Sequence, residues 1–447
     1  MDSQDHKMKA TSSGKTALDD KMIETLTSKI DYKLNALSTD TPFTSCIHRV
    51  PDKPRKANEA AYTPRLVSIG PLHRERGQLQ GMESYKLRYL RNFLTRFKVN
   101  LCDLVMHVAR DERYIREYYE DTINLNKEQF TEVLLLDGIF VIELFLKNYF
   151  LKLREGREVL FENHWMQSDL LHDMLLLENQ LPIRAIASLL LFVDSSLLKG
   201  ITLYDLAHEF FRNVGNTEKL QLTEDCRRAR HFVEFLLSLH GPMHRNELPS
   251  FRARKFENTR SATELQQAGV KFRRAEKSCL FNVDFTKGEL TLPSLMVNDS
   301  TETFFRNLIA FEQCGYYSKH ITSYVIFMDN LINTPNDVDL LVKHEIIKNE
   351  LGESKAVADL FNNLYKEVVT ETDEFYFDEL CDNLNAYSSD PFHAFKAKWF
   401  RWKMIAKRDY FSTPWSFISL LAAGALLILT VIQTVCSLIQ AKSSSKG

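Results

Sequence analysis

Four places in the chain hold residue types that could do chemistry. Cys46 and His48 flank Ile47. In extended chain, alternate residues share a face, so a thiol and an imidazole would point the same way, as in a cysteine nucleophile beside its base. The plainer alternative is a packed thiol and a hydrogen-bonded imidazole. Asp169, His172 and Asp173 are spaced three and four apart. On a helix they share a face and could offer ligands to a cation; a capping or surface role is the competing expectation. Asp137 and Glu143 sit inside an apolar run, where burial raises a carboxyl's pKa. At about 100° per residue they lie about 240° apart, so they do not form an acid–base pair. Each is expected to satisfy buried backbone or a neighbouring side chain. His344-Glu345 opens like a zinc-protease helix motif, but position 348 is Lys, so the second ligand is missing. Serine elbows, P-loops, dinucleotide fingerprints and close cysteine pairs are absent. The expectation is therefore no catalytic, cofactor-binding or metal-binding residue, and no enzyme.

The elements that would position these groups are mostly helical. Gly and Pro are sparse, at 15 and 12 of 447 residues, which favours helices over a β-sandwich. Apolar spacings of three and four predict a helix over 22–37 and another from Met82, with Tyr85, Tyr89, Phe93 and Phe97 inward and Lys86, Arg88, Arg91, Arg96 and Lys98 on the opposite, solvated face. That basic face could alternatively dock an acidic partner or lipid. Between them, five prolines in 41–71 predict extended chain. Phe130–Leu153 is apolar nearly all round and should be a buried helix. Core helices are also expected over 170–181, 183–198 and 232–239, then 304–311, 321–332, 338–347 and 357–368, with Gly352 as a C-cap. Phe281, Val283 and Phe285 alternate with polar residues, a Thr286-Lys287-Gly288 turn follows, and Leu290 and Leu292 resume: a β-hairpin.

The C-terminal region carries the strongest physical signal. Trp415 to Ile439 holds no charge and is rich in Leu, Ile, Val and Ala, with Leu420, Gly424, Leu427 and Val431 along it. As a helix it would reach about 37 Å, enough to cross a hydrocarbon core of about 30 Å. Lys396, Lys398, Arg401, Lys403, Lys407 and Arg408 precede it, and only Lys442 and Lys446 follow. The positive-inside rule then places the large domain in the cytosol of a single-pass membrane protein, with the plasma membrane as the expected location. The same basic run is interleaved with aromatic residues and could lie on an anionic leaflet. Ser419 and Ala423, four apart, hint at homo-oligomers through this helix.

The rest of the composition bounds the class. A net charge of −2 gives no reason to expect nucleic acid. Seven scattered cysteines and no N-terminal signal peptide fit a reducing compartment. The Asn298-Asp299-Ser300 sequon is about what chance supplies. The expected organisation is a disordered 1–20, a helical part over 21–240, a linker or long loop over 241–261 and a second part over 262–412. A transmembrane helix over 415–439 and a short tail over 440–447 complete it. The fold class is mainly α: a multi-helix globular body with a small β-hairpin element and a single C-terminal transmembrane helix.

Longer strings are more specific than any catalytic motif. They include Cys46-Ile47-His48-Arg49-Val50-Pro51, Val67-Ser68-Ile69-Gly70-Pro71, Met82-Glu83 with Lys86, and Leu134-Leu135-Leu136-Asp137-Gly138. Asp173 follows, with Leu177-Glu178-Asn179-Gln180-Leu181-Pro182, then Ser261-Ala262-Thr263-Glu264-Leu265 and Phe304-Phe305-Arg306-Asn307-Leu308 through Glu312-Gln313-Cys314. In order and content they resemble the plant family called domain of unknown function 247, from about Ile23 to the membrane segment. The resemblance implies a largely helical land-plant protein with a C-terminal membrane anchor and no established activity or cofactor. Some members are linked to grass self-incompatibility, which implies recognition or signalling through an unidentified protein partner. It also implies a large domain outside the cytosol, against the charge and cysteine argument. The strings themselves behave like scaffold: Asn307, Glu312 and Gln313 are expected to build a buried network or line a partner surface. A pocket joining Cys46, His48 and His73 is what the enzyme alternative requires.

Overall fold

The computed structural model describes residues 21–31, 45–154, 156, 158–217, 220–241, 258–276, 279–315, 319–368, 375–390 and 414–444, the last with side chains over 422–437 only. One apolar core runs through the body from Cys46 to Leu384. Its first hub is the helix Lys127–Tyr149. Asn126 starts it with a capping box: its side chain accepts from Gln129 N at 2.8 Å, and the Gln129 side chain accepts from Asn126 N at 3.0 Å. Apolar residues on every side bury it nearly all round, as expected. Helices Glu83–Phe97, Leu101–Arg116, Ile183–Leu190 and Leu203–Phe210 pack around it. Gly138 lets one of them close in, since a Cβ there would lie 2.6 Å from Leu189 Cδ1.

The second hub is the helix Thr301–Gln313, buried at eleven of the twelve positions from Thr301 to Glu312, all but Glu302. It touches the helices His164–Leu175, Phe232–Leu239, His320–Leu331 and Ser354–Leu364, and the 3-10 turn Glu59–Tyr62. It thus joins the beginning of the body to its end.

The hairpin forms where alternation placed it. Strand Asp284–Thr286 pairs antiparallel with Glu289–Leu292, with Phe285 opposite Leu290. Lys287 and Gly288 make the two-residue loop, both at positive φ (52° and 79°), as this hairpin turn demands. The structure adds two parallel pairings. Lys271–Arg274 lies beside Glu289–Leu292, and Leu295–Val297 pairs with Ile347–Asn349.

Several expected bounds are corrected. The helix predicted over 170–181 is His164–Leu175, and the chain leaves the helix at Leu176, whose backbone is extended (φ −74°, ψ 131°). The 183–198 helix breaks into Ile183–Leu190 and Ser195–Leu198, the second capped by Asp194, which accepts from Ser196 N at 2.8 Å. The 338–347 helix is Pro335–Lys343, opened by a Thr334–Asp337 capping box, and Ile347 belongs to a strand. Gly352, at φ 89°, therefore sits in the turn before Ser354–Leu364 and caps no helix. The proline-rich 41–71 segment is extended only in part: Asp52–Ala57 is helical, with Pro54 in its first turn, where no intrahelical N–H is needed.

The chain is mainly helical with small sheets. Among the described residues no helix is long and apolar enough to cross a membrane. The backbone of Pro414–Ser444 is a helix of 31 residues. Its described side chains, 422–437, would span about 24 Å, less than a bilayer core. Gly424, Leu427 and Val431 lie within that stretch. The side chains of Trp415, Leu420 and Ile439 lie outside the described residues, as do Lys396, Lys398, Arg401, Lys403, Lys407 and Arg408 and most of the expected 241–261 linker.

Candidate functional site

Three of the candidates, Asp137, His172 and Asp173, meet at one place, where the segment 45–73, which carries Cys46 and His48, crosses the helical core as a strap. An extended strap leaves its N–H and C=O groups without partners, and buried backbone groups need them. The polar residues of 173–182 supply six of them. Asp173 accepts from the N–H groups of Arg65, Leu66 and Val67, each at 2.7 Å. Asn179 accepts from Ile69 N at 2.8 Å and donates to Val67 O at 3.0 Å. Glu178 accepts from Val50 N at 2.7 Å and pairs with Arg55 and, at 3.5 Å, Arg49; His73 Nε2 stands 3.4 Å away. Gln180 holds the turn itself, donating to Met174 O and Leu176 O at 2.9 Å and accepting from Phe232 N at 3.0 Å.

Two helices complete the latch. From the first hub, Asp137 accepts from Gly70 N at 2.8 Å and meets Lys86 Nζ at 2.6 Å. Lys86 also donates to Ser68 O and Glu83, both at 2.7 Å. From the second hub, Asn307 accepts from Leu177 N at 2.9 Å and donates to Ala61 O at 2.9 Å. His172 Nε2 lies 3.1 Å from Thr63 O and Nδ1 2.9 Å from Thr303 Oγ1. A carbonyl can only accept, so Nε2 carries the proton and Nδ1 accepts from the hydroxyl.

Electrostatics follows burial. Burial pushes the Cys46 thiol up to about 12, which keeps it neutral. It pushes His172 down to about 4, matching the neutral tautomer. Burial lifts Asp173 to about 7 despite its three N–H donors. Burial alone would raise Glu178 as well, but His73, Arg55 and Val50 N hold it below the ordinary carboxylate value. Burial works to lower Lys86, and the Asp137 and Glu83 carboxylates override it and hold it above its usual value.

Cys46, His48 and His73 are all buried, as the packed-thiol reading expects, and among the described residues they do not line the shared pocket that the enzyme alternative requires. His48 Nδ1 is partnered by Glu120 at 3.0 Å. Asp173 and His172 hold backbone, and Asp169 faces Arg65 at 3.6 Å. Glu143 pairs with Arg96 at 2.6 Å, on a different side from Asp137. Glu345 pairs with Arg274 at 3.1 Å. Glu312 is buried apart from this network, accepting from Ile321 N and Thr322 N at 2.8 and 2.9 Å. Gln313 does not join it: its Nε2 finds no partner among the described residues. The sequon is used for a turn, with Asn298 Oδ1 accepting from Ser300 N at 3.1 Å, beside a cleft of about 340 Å³. Among the described residues no group of three or more His, Cys, Asp or Glu is placed to hold a metal ion.

Lys86 is a correction. It was expected on the solvated face, yet it is buried between Asp137, Glu83 and the strap. The signal was present: Lys86 lies four residues after Met82 and three before Tyr89, on the apolar stripe itself. Lys147 was missed outright. It is fully buried, with Nζ 4.2 Å from the Tyr89 ring centre and an ion pair to Glu158.

Fold and latch define a helical protein whose extended segment is clamped to the core by buried carboxylates and amides. Residues 47–429 match the family model DUF247, plant proteins of unknown function, and the chain belongs to that family. It is 29% identical over 433 residues to the UPF0481 protein At3g47200 of Arabidopsis thaliana, covering 90% of this chain and 88% of the relative. It is 24% identical over 494 residues to the putative UPF0481 protein At3g02645 of the same plant, covering 87% and 89%. No solved structure matches.

Proposed function

We propose that this protein is a membrane-anchored, non-enzymatic recognition protein, whose helical body meets a protein partner while its C-terminal helix crosses the bilayer. One observation carries the reading: the residues best suited to chemistry are spent on the protein's own backbone. Asp173, Asn179, Glu178 and Asp137 accept from strap N–H groups, and the neutral Cys46 thiol is sealed in the core. Groups so engaged serve as fasteners. The anchor is supported by the 31-residue helix Pro414–Ser444, whose Leu426, Leu427, Ile428, Leu429 and Val431 are 60% to 69% exposed.

Alkaline carbonate extraction of microsomes tests the anchor. The full chain is expected to stay with the membrane, and a chain ending before Pro414 to be released; release of both would overturn it. Protease protection with an N-terminal tag and a glycosylation reporter after Gly447 tests orientation. A digested tag and a glycosylated reporter are expected for a cytosolic body. Any turnover abolished by Cys46→Ala or His48→Ala would sink the non-enzymatic reading.

A further inference from the structure

Among the described residues, two apolar helix faces besides that of Pro414–Ser444 stand uncovered. The first is the helix over 21–31. Its Met22, Ile23, Leu26 and Ile30 follow helical spacing and are 46% to 63% exposed. An amphipathic helix with nothing on its apolar face gains little from folding alone. The second is the start of the helix Leu101–Arg116, where Leu101, Val105 and Met106 are 39% to 47% exposed and Cys102 is exposed beside them.

We propose that the helix over 21–31 docks through its Ile23–Leu26–Ile30 stripe onto the Leu101–Met106 face of its own chain, as a removable cover over that face. The tether fits. The chain enters the body at Cys46, whose N–H donates to Tyr118 O at 2.9 Å, just beyond the end of the helix Leu101–Arg116. Thirteen residues, 32–44, separate the two described segments. Fully extended they reach about 45 Å, whereas the 16-residue helix is about 24 Å long. The face therefore lies within reach. A connection this short gives an effective concentration of order millimolar, enough to populate a contact of a few apolar side chains. The docking does not depend on the membrane anchor.

Cys102 makes the test direct. In the full chain with Cys436→Ser, reconstituted in lipid nanodiscs, Leu26→Cys is oxidised mildly and digested without reduction. The expected product is a disulfide within one chain between the peptides carrying positions 26 and 102, at least fivefold above the yield from Ser28→Cys on the opposite helix face. Cys102→Ser should abolish it. Amide exchange over 101–106 should also be slower in the full chain than in one lacking residues 1–31. Equal yields from both positions, no link, or a link only between two chains would each overturn the proposal; the last would assign the face to a second copy.

Discussion

Gly70 shows how tightly single residues are held in the latch. Its φ is +80°, and a Cβ there would lie 2.6 Å from the backbone oxygen of Gln180. That oxygen already accepts from Tyr119 Oη at 2.9 Å, so it cannot move aside freely. Gly70→Ala combines left-handed backbone strain with overpacking, and the expected loss is about 3 kcal/mol. Gly77→Ala meets nothing within 4 Å, and its expected effect is within about 0.5 kcal/mol. Chemical denaturation midpoints of the two variants check the contrast. Similar midpoints would mean the strap does not press on the 173–182 turn in solution.

At the scale of elements, the fold relies on side chains of one element closing the ends of another. Glu312, near the end of the second hub, accepts from Ile321 N, Thr322 N and Thr322 Oγ1 at the start of the next helix. The first-turn N–H groups of a helix have no partner of their own. Glu312→Ala should cost about 2 to 3 kcal/mol. Hydrogen exchange should quicken first in His320–Leu331, while Lys127–Tyr149 stays protected. The legible elements were those whose pattern is complete within a short window. Lys127–Tyr149 was visible because it is apolar on every side, and the hairpin because alternation and a Lys-Gly turn coincide. The strand Ile347–Asn349 was hidden, since its partner Leu295–Val297 lies about fifty residues earlier and no local pattern reports that pairing.

For the whole molecule, buried histidines set an acid limit. Burial lowers His172, His231 and His320 to about 4 and His240 to about 3, against about 6.5 when unfolded. Their contribution to stability is complete above pH 6.5 and is lost as pH falls toward the folded values, because the unfolded chain binds the protons first. Asp173 and Glu312 act oppositely. Burial raises both to about 7, so they cost stability as pH rises from about 4 to 7. Burial also raises Asp137, Glu143 and Asp329, which side with these carboxyls, and lowers His73, which sides with the histidines; Glu178, Glu234 and Asp337, held low by their partners, lose stability with them as the pH falls. Thermal unfolding is expected to shift lower from pH 7 to pH 5. His240→Gln should shrink that loss by about 2 kcal/mol, since its fully buried ring gives up about 1.4 kcal/mol per pH unit. An unchanged pH dependence in the variant would show that His240 is hydrated or already protonated.

The sequence by itself determined the helical class, the buried central helix, the hairpin, the uncharged C-terminal run and the family. Each rests on a local period or string that needs no partner to be read. Only the tertiary structure decided what the polar residues of those strings do. Whether Asp173 ligates a cation or holds three backbone N–H groups depends on which chain arrives 106 to 108 residues away. Whether Lys86 faces water or Asp137 depends on how two helices pack. A buried charge is tolerable only where a partner meets it, and that partner is set by the packing of distant segments.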